Sequence, residues 1–208
     1  MYKRYIKRLI DIILSFVGLV VLAIPMLVVA MIIKIDSPGP VFFKQKRIGE
    51  NKTHFNIIKF RSMSVNAPKD MPTHMLANPE AFLSKWQRFI RKSSIDELPQ
   101  LFCILRGEMS IIGPRPALWN QYDLIEERDR YGANDVKPGL TGWAQINGRD
   151  ELPVAVKAKY DGEYVRKLSF IFDCKCFFGT ILKVLKHEGV VEGEASIANA
   201  KDKEKVEK

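Results

Sequence analysis

Residues 91–116 read RKSSIDELPQLFCILRGEMSIIGPRP and place two adjacent carboxylates, Asp96 and Glu97, among basic side chains. Arg91 precedes the acidic pair, and Arg115 follows it between two prolines that restrict its backbone on both sides. The apolar run after the pair, LFCIL, gives the segment a face to bury. This combination favours acidic and basic groups held in fixed positions.

A purely structural interpretation of the same residues is a helix start. Ser94 and Glu97 have the spacing of a capping box, and acidic residues are favoured in a first helical turn. The two interpretations are compatible, because the N-terminus of such a helix would help to keep Asp96 ionised beside a phosphate.

The basic charge of the chain is local. Of its 208 residues, the first 61 contain eleven Lys or Arg and three Asp or Glu, whereas the rest contain 22 and 21, so most of the net charge of +9 lies in the first part. This excess flanks the most hydrophobic stretch, which favours an anionic membrane surface over a nucleic acid as partner. Three cysteines without a CxxC pair argue against a disulfide framework or a zinc ribbon.

The hydrophobic stretch, Ile12 to Ile33, has 22 residues without a charge, enough to span a bilayer and too many for a signal peptide. Pro25, near its middle, breaks or kinks a helix. Basic residues flank the stretch on both sides, and such flanks stay on the cytoplasmic side. We therefore predict a re-entrant helix–break–helix in residues 1–36, with a straight span as the alternative.

Downstream, residues 41–47 and 54–61 are expected to form a β-hairpin around Gly49. The second strand carries Lys59 on a face that is either solvated or a basic wall for phosphates. A proline-rich loop follows, and the next helix is expected to bury a stripe of apolar residues at helical spacing. That stripe comprises Phe82, Trp86, Phe89 and Ile90.

The C-terminal half is predicted to be helical around one glycine-rich loop. Residues 117–131 have the pattern of a polar amphipathic helix, and the glycines in 132–149 suit close approach to a nucleotide or phosphate. Residues 154–165 follow as a helix, and 170–187 as either a core helix or one lying on a membrane surface. The small and charged tail, 193–208, is expected to be disordered.

Together these features predict an α+β, mostly helical protein. It would comprise a membrane-inserted re-entrant helix (1–36), a catalytic domain with a small β-hairpin and amphipathic interfacial helices (37–192), and the tail (193–208).

The acidic pair suits some reactions and not others. Adjacent residues of a helix point about 100° apart, so Asp96 and Glu97 do not resemble the two acids that flank a glycosidic bond. They suit separate tasks, in which one carboxylate attacks and the other positions a group or accepts a proton. Attack on phosphorus would bring two anions together and would need cations, which Arg91, Arg115, Lys59 and a Mg²⁺ ion could supply. The segment therefore favours phosphoryl-group chemistry at a membrane face.

Three motifs carry a family resemblance: KFRSM at 59–63, SxDELPQLFxxLxGxMSxxGPRP at 94–116, and KPGLTGWAQINGR at 137–149. From about residue 3 to 190 the chain resembles the monotopic polyprenyl-phosphate phosphoglycosyl transferases, which are bacterial sugar transferases. The stretch 117–139 also resembles members that start repeat units with N-acetylated deoxy-sugars.

The resemblance implies a two-step reaction. Asp96 would attack the β-phosphate of a UDP-sugar, releasing UMP and leaving a covalent phosphosugar, which undecaprenyl phosphate then accepts. Glu97 would assist as the second catalytic residue, and Mg²⁺ would bind near the pair with Asp96 as a ligand. The matching basic positions, expected to meet the substrates, are Lys59, Arg91, Arg115 and Arg149.

The resemblance also implies a location. The protein would be monotopic among the phospholipids of the bacterial inner membrane, with its active site on the cytoplasmic face, at the first membrane step of capsule, exopolysaccharide or glycoconjugate assembly. No nucleic-acid partner is expected, and a homodimer is left open. One departure is Ile24, which stands where family members often carry Ser before the proline.

Two other classes of protein fit parts of the sequence. A non-catalytic membrane scaffold of a glycan assembly complex would keep the hydrophobic hairpin without requiring Asp96. A metal-dependent glycosyltransferase would release UDP, and the nearest match to its DxD site is Asp161-Gly-Glu163, a single weak match of a kind that more often marks a loop.

Overall fold

The computed structural model shows an α+β, mostly helical fold with a small antiparallel hairpin, as predicted. It describes residues 1–68, 76, 78–148 and 152–186. The predicted disordered tail lies outside the described residues.

The helices are α1 (Lys7–Val21), α2 (Ala23–Asp36), α3 (Lys85–Lys92), α4 (Gln100–Arg106), α5 (Tyr122–Asp129), α6 (Trp143–Ile146), α7 (Val154–Lys167) and α8 (Phe170–Lys186). The strands are β1 (Phe42–Ile48), β2 (His54–Phe60), β3 (Ser110–Ile112) and β4 (Gly139–Thr141).

The apolar N-terminal stretch forms two helices that meet at a sharp bend. The chain bends by 62° between α1 and α2 at Leu22, and Pro25 lies in the first turn of α2, where the N–H that it lacks has no helical partner. In the described part of the chain no single helix is long and apolar enough to cross a membrane. The bent pair taken together has the length and composition of a broken span or of a re-entrant loop. The pair leaves large apolar side chains exposed, among them Phe16, Val20 and Ile24.

Polar side chains attach α1 to the rest of the protein. The guanidinium of Arg8 donates to the carbonyl oxygens of Ile104 (2.6 Å) and Leu105 (2.9 Å) near the C-terminus of α4, where a cation is favoured. Asp11 is buried and accepts a hydrogen bond from the backbone N–H of Ile111 at 3.0 Å. These polar groups of α1 therefore form hydrogen bonds within the protein.

A second attachment is centred on Asp173 of α8. Its Oδ2 accepts hydrogen bonds from the hydroxyl of Tyr2 (2.5 Å) and the ammonium of Lys7 (2.7 Å), and its Oδ1 accepts one from the hydroxyl of Tyr164 (2.8 Å). The side chains of Lys7 and Asp173 are 12% and 9% exposed. Because the three donors belong to the N-terminal turn, α1 and α7, Asp173 fixes α1 against α7 and α8.

The far end of α2 docks on the hairpin. Ile33 is buried and packs with Phe60 of β2 and Ile90 of α3. Directly after β2, Arg61 donates to the carbonyl oxygens of Pro38 (2.6 Å) and Ser37 (2.7 Å). The end of the apolar helix pair is thus held to the strand that carries Lys59.

The predicted β-hairpin is present. β1 and β2 pair antiparallel, and their register places Phe43 opposite Lys59. The backbone N–H of Ile48 donates to the carbonyl oxygen of Ala117 at 3.0 Å, so the chain just after Arg115 runs beside β1.

Gly139 within β4 and Gly142 directly after it serve backbone packing, so the prediction of a nucleotide loop is wrong for these two glycines. β3 and β4 pair in parallel, and a Cβ at Gly139 would come 2.1 Å from the backbone nitrogen of Gly113. A Cβ at Gly142 would come 2.1 Å from the carbonyl oxygen of Gly113. These glycines let two chain segments approach each other, a role that composition alone does not distinguish from ligand binding.

Two helix predictions are wrong in part. On α3, Ile90 is 3% exposed, but Trp86 and Phe89 are 52% and 57% exposed, because this short helix packs one side against α2 and the turn of the acidic pair. The helix predicted over 117–131 is shortened to α5, because the chain at Leu118 bridges to Arg47 of β1.

Candidate active site

A cavity of about 740 Å³ brings together most of the predicted site residues. Its wall comprises the β-hairpin, the chain just after β2, the turn of the acidic pair, and parts of α5 and α7. Lys59, Arg91, Asp96 and Arg115 all line it. Arg149 lies outside the described residues.

The two carboxylates lie in a single 3₁₀ turn, Ile95–Glu97, rather than at a capped helix start. Ser94 has a left-handed backbone (φ 57°) and makes no capping hydrogen bond, so the predicted capping box is wrong. An N-cap residue needs an extended backbone. The capping box that does form joins Ser84 and Gln87 and begins α3.

Asp96 lies at the cavity wall, and the residue is 5% exposed. The hydroxyl of Ser62 donates to its Oδ2 at 3.2 Å. Burial raises the pKa of Asp96 above its usual value, and the neighbouring charge of Glu97 adds to this. The positive charges of Lys59 and Arg91, together with the Ser62 hydrogen bond, act in the opposite direction. Side chains, and not a helix N-terminus, therefore favour the ionised form of Asp96.

Glu97 holds two of the cations in place. Its Oε1 accepts hydrogen bonds from the ammonium of Lys59 (2.8 Å) and the guanidinium of Arg115 (2.7 Å), and a second Arg115 nitrogen lies 3.4 Å from Oε2. Burial lowers the pKa of Lys59, and the charge of Glu97 opposes that change. Because two cations share one carboxylate, this group presents a net positive charge beside Asp96.

A further charged group borders the cavity from α5 and α7. Arg128 donates through Nε (2.8 Å) and a terminal nitrogen (2.6 Å) to Oδ2 of Asp161, and the two side chains are 4% and 1% exposed. Both Arg128 and Lys157 line the cavity. Asp161 lies within α7, in the helix predicted over 154–165, and its carboxylate binds a guanidinium. The DxD-like match is therefore a packing feature.

Sequence reasoning missed Ser62 and Arg128 as residues of the site. Ser62 belongs to the KFRSM motif that contains Lys59, so that motif carried a usable signal. Arg128 is one of several charges on a helix that had the pattern of a solvated face, and its partner Asp161 is 33 positions away. No local pattern indicates such a contact.

The donor atoms at the cavity bear on the Mg²⁺ ion that the family resemblance implies. The described ranges contain no group of three or more His, Cys, Asp or Glu side chains that could hold a metal. Enzymes that act on phosphates often bind Mg²⁺ through one or two carboxylates, with water and substrate phosphates completing the shell. Asp96 is the carboxylate among the described residues lining the cavity, and it fits that mode of binding.

A buried carboxylate with a raised pKa, placed on a cavity wall among basic side chains, is typical of an enzyme site that takes an anionic substrate. Residues 2–187 match the bacterial sugar transferase family, and the chain belongs to this family.

The match to this chain covers different shares of the individual relatives. The chain is 40% identical over 185 residues to an uncharacterised sugar transferase, EpsL, of Bacillus subtilis (strain 168), covering 89% of this chain and 90% of the relative. It is 38% identical over 186 residues to the UDP-glucose:undecaprenyl-phosphate glucose-1-phosphate transferase of Xanthomonas campestris pv. campestris (86% of this chain, 38% of the relative). It is 35% identical over 189 residues to the UDP-N-acetylgalactosamine-undecaprenyl-phosphate N-acetylgalactosaminephosphotransferase of Aeromonas hydrophila (87% and 44%). The chain thus spans less than half of the last two relatives.

Proposed function

We propose that the protein transfers a phosphosugar from a UDP-sugar to undecaprenyl phosphate, giving undecaprenyl diphosphate sugar and UMP. Relatives of the chain are named for reactions of this kind. The observation that carries the proposal is the buried Asp96 carboxylate, which lines the cavity together with Lys59, Arg91 and Arg115. Several cations around one carboxylate suit the two phosphates of a nucleotide sugar.

In the first step, Asp96 acts as the nucleophile. One carboxylate oxygen forms a bond to the β-phosphorus of the UDP-sugar, and the bond from that phosphorus to the oxygen bridging to UMP breaks, with its electron pair leaving on UMP. The cations reduce the repulsion between the two anions. Since Ser62 donates to Oδ2, Oδ1 is the proposed attacking atom.

In the second step, a phosphate oxygen of undecaprenyl phosphate attacks the phosphorus of the aspartyl phosphosugar. The bond to Asp96 breaks and its carboxylate is restored. A proton carried by the acceptor phosphate would pass to Glu97, the second catalytic residue. Through its contacts with Lys59 and Arg115, Glu97 also holds these cations where both phosphates must lie.

Mg²⁺ and Arg149 are also part of the proposal. Asp96 would hold the ion together with substrate phosphates, and when bound the ion would neutralise part of the phosphate charge. Arg149 is proposed as a substrate-binding residue from the KPGLTGWAQINGR motif.

The proposed location is the bacterial inner membrane, with α1 and α2 as a re-entrant hairpin and the active site on the cytoplasmic face. The 62° bend and the exposed apolar side chains of this pair support that placement. The exposed Lys3 and Arg4 would contact phospholipid headgroups. There the reaction would start the assembly of a capsule, exopolysaccharide or other glycoconjugate.

The test uses the full chain with undecaprenyl phosphate and a panel of UDP-sugars, because the named relatives act on different sugars. Wild-type protein should release UMP from one of them. Asp96→Asn should abolish that release, whereas Asp123→Asn, at an exposed carboxylate of α5, should retain it.

Other products would identify the rival classes. Release of UDP instead of UMP would identify a metal-dependent glycosyltransferase. Near-normal UMP release by Asp96→Asn would exclude the covalent mechanism, and a wild-type protein without turnover on any donor would favour the scaffold.

A further inference from the structure

Apolar and hydrogen-bonding residues both line the cavity. Gln121, Leu124, Arg128 and Lys157 come from α5, the residue before it, and α7. The turn after α2, β1 and the chain after β2 contribute a set of apolar residues, namely Pro40, Phe43, Met63, Val65 and Pro68, with Ser62 and Ser64 next to Met63 in the chain. We refer to this apolar set as the apolar wall.

Phe43 places the apolar wall next to the phosphate-binding cations. It lies opposite Lys59 in the hairpin, so the two side chains share one face with their Cβ atoms about 5 Å apart. Lys59 contacts Glu97 of the active site at 2.8 Å. Phe43 is half-buried and belongs to none of the core clusters formed by the described residues. An apolar ring is therefore free of core packing directly beside a cation of the site.

At its other end the apolar wall approaches the N-terminal helix pair. Val65 is 49% exposed and lies against the turn after α2, where a Cβ at Gly39 would come 2.9 Å from its Cγ1. On α2 itself, Met31 and Ile35 are 51% and 86% exposed. Exposed apolar surface therefore flanks this turn on both sides.

We infer that the apolar wall binds the first isoprene units of the lipid acceptor, whose phosphate then lies at Lys59 and Arg115 beside Asp96. This inference rests on the proposed function and adds the residues that recognise the acceptor. A polyprenyl phosphate consists of an anionic head followed by an apolar tail, and the cavity presents cations followed by the apolar wall in the same order.

The two other parts of the substrates fit the apolar wall less well. A uracil ring or a sugar seated on these apolar side chains would leave hydrogen-bonding groups without partners, which costs free energy. Hydrogen-bonding side chains line the cavity elsewhere, at Gln121, Arg128 and Lys157. The apolar wall therefore suits a ligand without hydrogen-bonding groups.

The test replaces residues of the apolar wall and measures the two substrates separately. Val65→Ser alters an exposed side chain outside regular secondary structure, and Phe43→Thr keeps a strand-forming residue in β1. The matched control is Val156→Ser, at a 38% exposed valine of α7 that does not line the cavity. Both wall variants should raise the KM for undecaprenyl phosphate about tenfold, equivalent to about 1.4 kcal/mol. The KM for the UDP-sugar and the burst of UMP should match wild type and the control.

A comparison of acceptors with longer and shorter isoprenoid chains tests binding of the lipid tail separately from binding of the phosphate. Wild-type protein should bind farnesyl phosphate more tightly than dimethylallyl phosphate, and the Val65→Ser variant should lose most of that preference. An unchanged preference in both wall variants would overturn the inference. A raised KM for the UDP-sugar would also overturn it, by assigning the apolar wall to the donor. Failure of the proposed function is distinguishable, because wild-type protein would then release no UMP.

Discussion

At the scale of single residues, the proposed active site lowers the stability of the folded protein. Asp96 is as buried as a core side chain although its carboxyl group is ionisable, and burial raises its pKa. Natural sites of this kind keep their function at the expense of folding stability. The nearby cations and the Ser62 hydroxyl reduce the unfavourable effect of burial on the charged carboxylate without removing it.

Asp96→Asn should therefore stabilise the protein at neutral and alkaline pH while abolishing UMP release. Because the pKa of Asp96 is raised in the folded state, the folded protein holds a proton that the unfolded chain loses first. The stabilisation from this proton is present below the unfolded pKa of about 3.9 and is lost as the pH rises through the folded pKa.

Thermal unfolding of wild type and variant across pH measures this effect. The excess stability of Asp96→Asn should be largest at alkaline pH, should shrink as the pH falls through the folded pKa of Asp96, and should be smallest below about pH 4. A variant that is less stable than wild type at every pH would contradict the proposal that the buried carboxylate of Asp96 destabilises the folded protein.

Arg115→Lys should lower the rate of UMP release about ten- to hundredfold, a loss of about 1.4 to 2.8 kcal/mol. Two guanidinium nitrogens of Arg115 contact the two oxygens of Glu97, and an ammonium cannot reproduce that paired geometry. Arg130→Lys, at an exposed pair with Glu127, is the matched control. Equal rates in both variants would show that charge alone is needed at Arg115.

At the scale of elements, local rules account for the hairpin but not for the catalytic turn. The sequence contains two matches to the capping pattern, one at Ser84 and Gln87 and one at Ser94 and Glu97. The first forms because Ser84 is extended (φ −75°, ψ 170°), and the second does not because Ser94 is left-handed. Spacing cannot separate the two cases, since the backbone of each serine depends on how the flanking helices pack.

Asp173→Ala should destabilise the attachment between α1 and α8 by about 3 kcal/mol, because it leaves the largely buried Lys7 side chain without its carboxylate. Glu127→Ala is the comparison variant, and loss of its surface pair with Arg130 should cost no more than about 1 kcal/mol. Thermal unfolding in detergent measures both. Similar losses in the two variants would mean that Asp173 does not hold the helices together.

At the scale of the whole molecule, the long motifs mark residues that the fold brings together, which no local pattern does. Lys59, Arg91, Asp96 and Arg115 belong to two of these motifs or stand just before one, and all four line one cavity. The ion pair between Arg128 and Asp161 could not be predicted from the sequence, because it depends on the packing of α5 against α7. Pairwise tertiary contacts of this kind leave no periodic signal in a single sequence.

The attachments of α1 and α2 make the topology of the N-terminal pair testable in the intact protein. α1 is fixed by Arg8 and Asp173, and the end of α2 is fixed by Arg61. The start of α1 and the end of α2 are therefore attached to the same domain. A re-entrant hairpin allows both attachments, because both of its ends lie on one side of the membrane. A straight span would place the two attachments on opposite sides of the bilayer and would require one of them to break.

Single cysteines at Lys3 and Lys52, both exposed, report on the two flanks of the pair. The background should carry Cys174→Ser, because Cys103 and Cys176 are buried while Cys174 is partly accessible. A membrane-impermeant maleimide added to intact inner-membrane vesicles of periplasmic-side-out orientation should label neither position, and inverted vesicles should allow labelling of both. Labelling of only one position from the periplasmic side would establish a straight span. In that case at least one of the observed attachments, and with it the apolar wall beside α2, could not exist in the membrane.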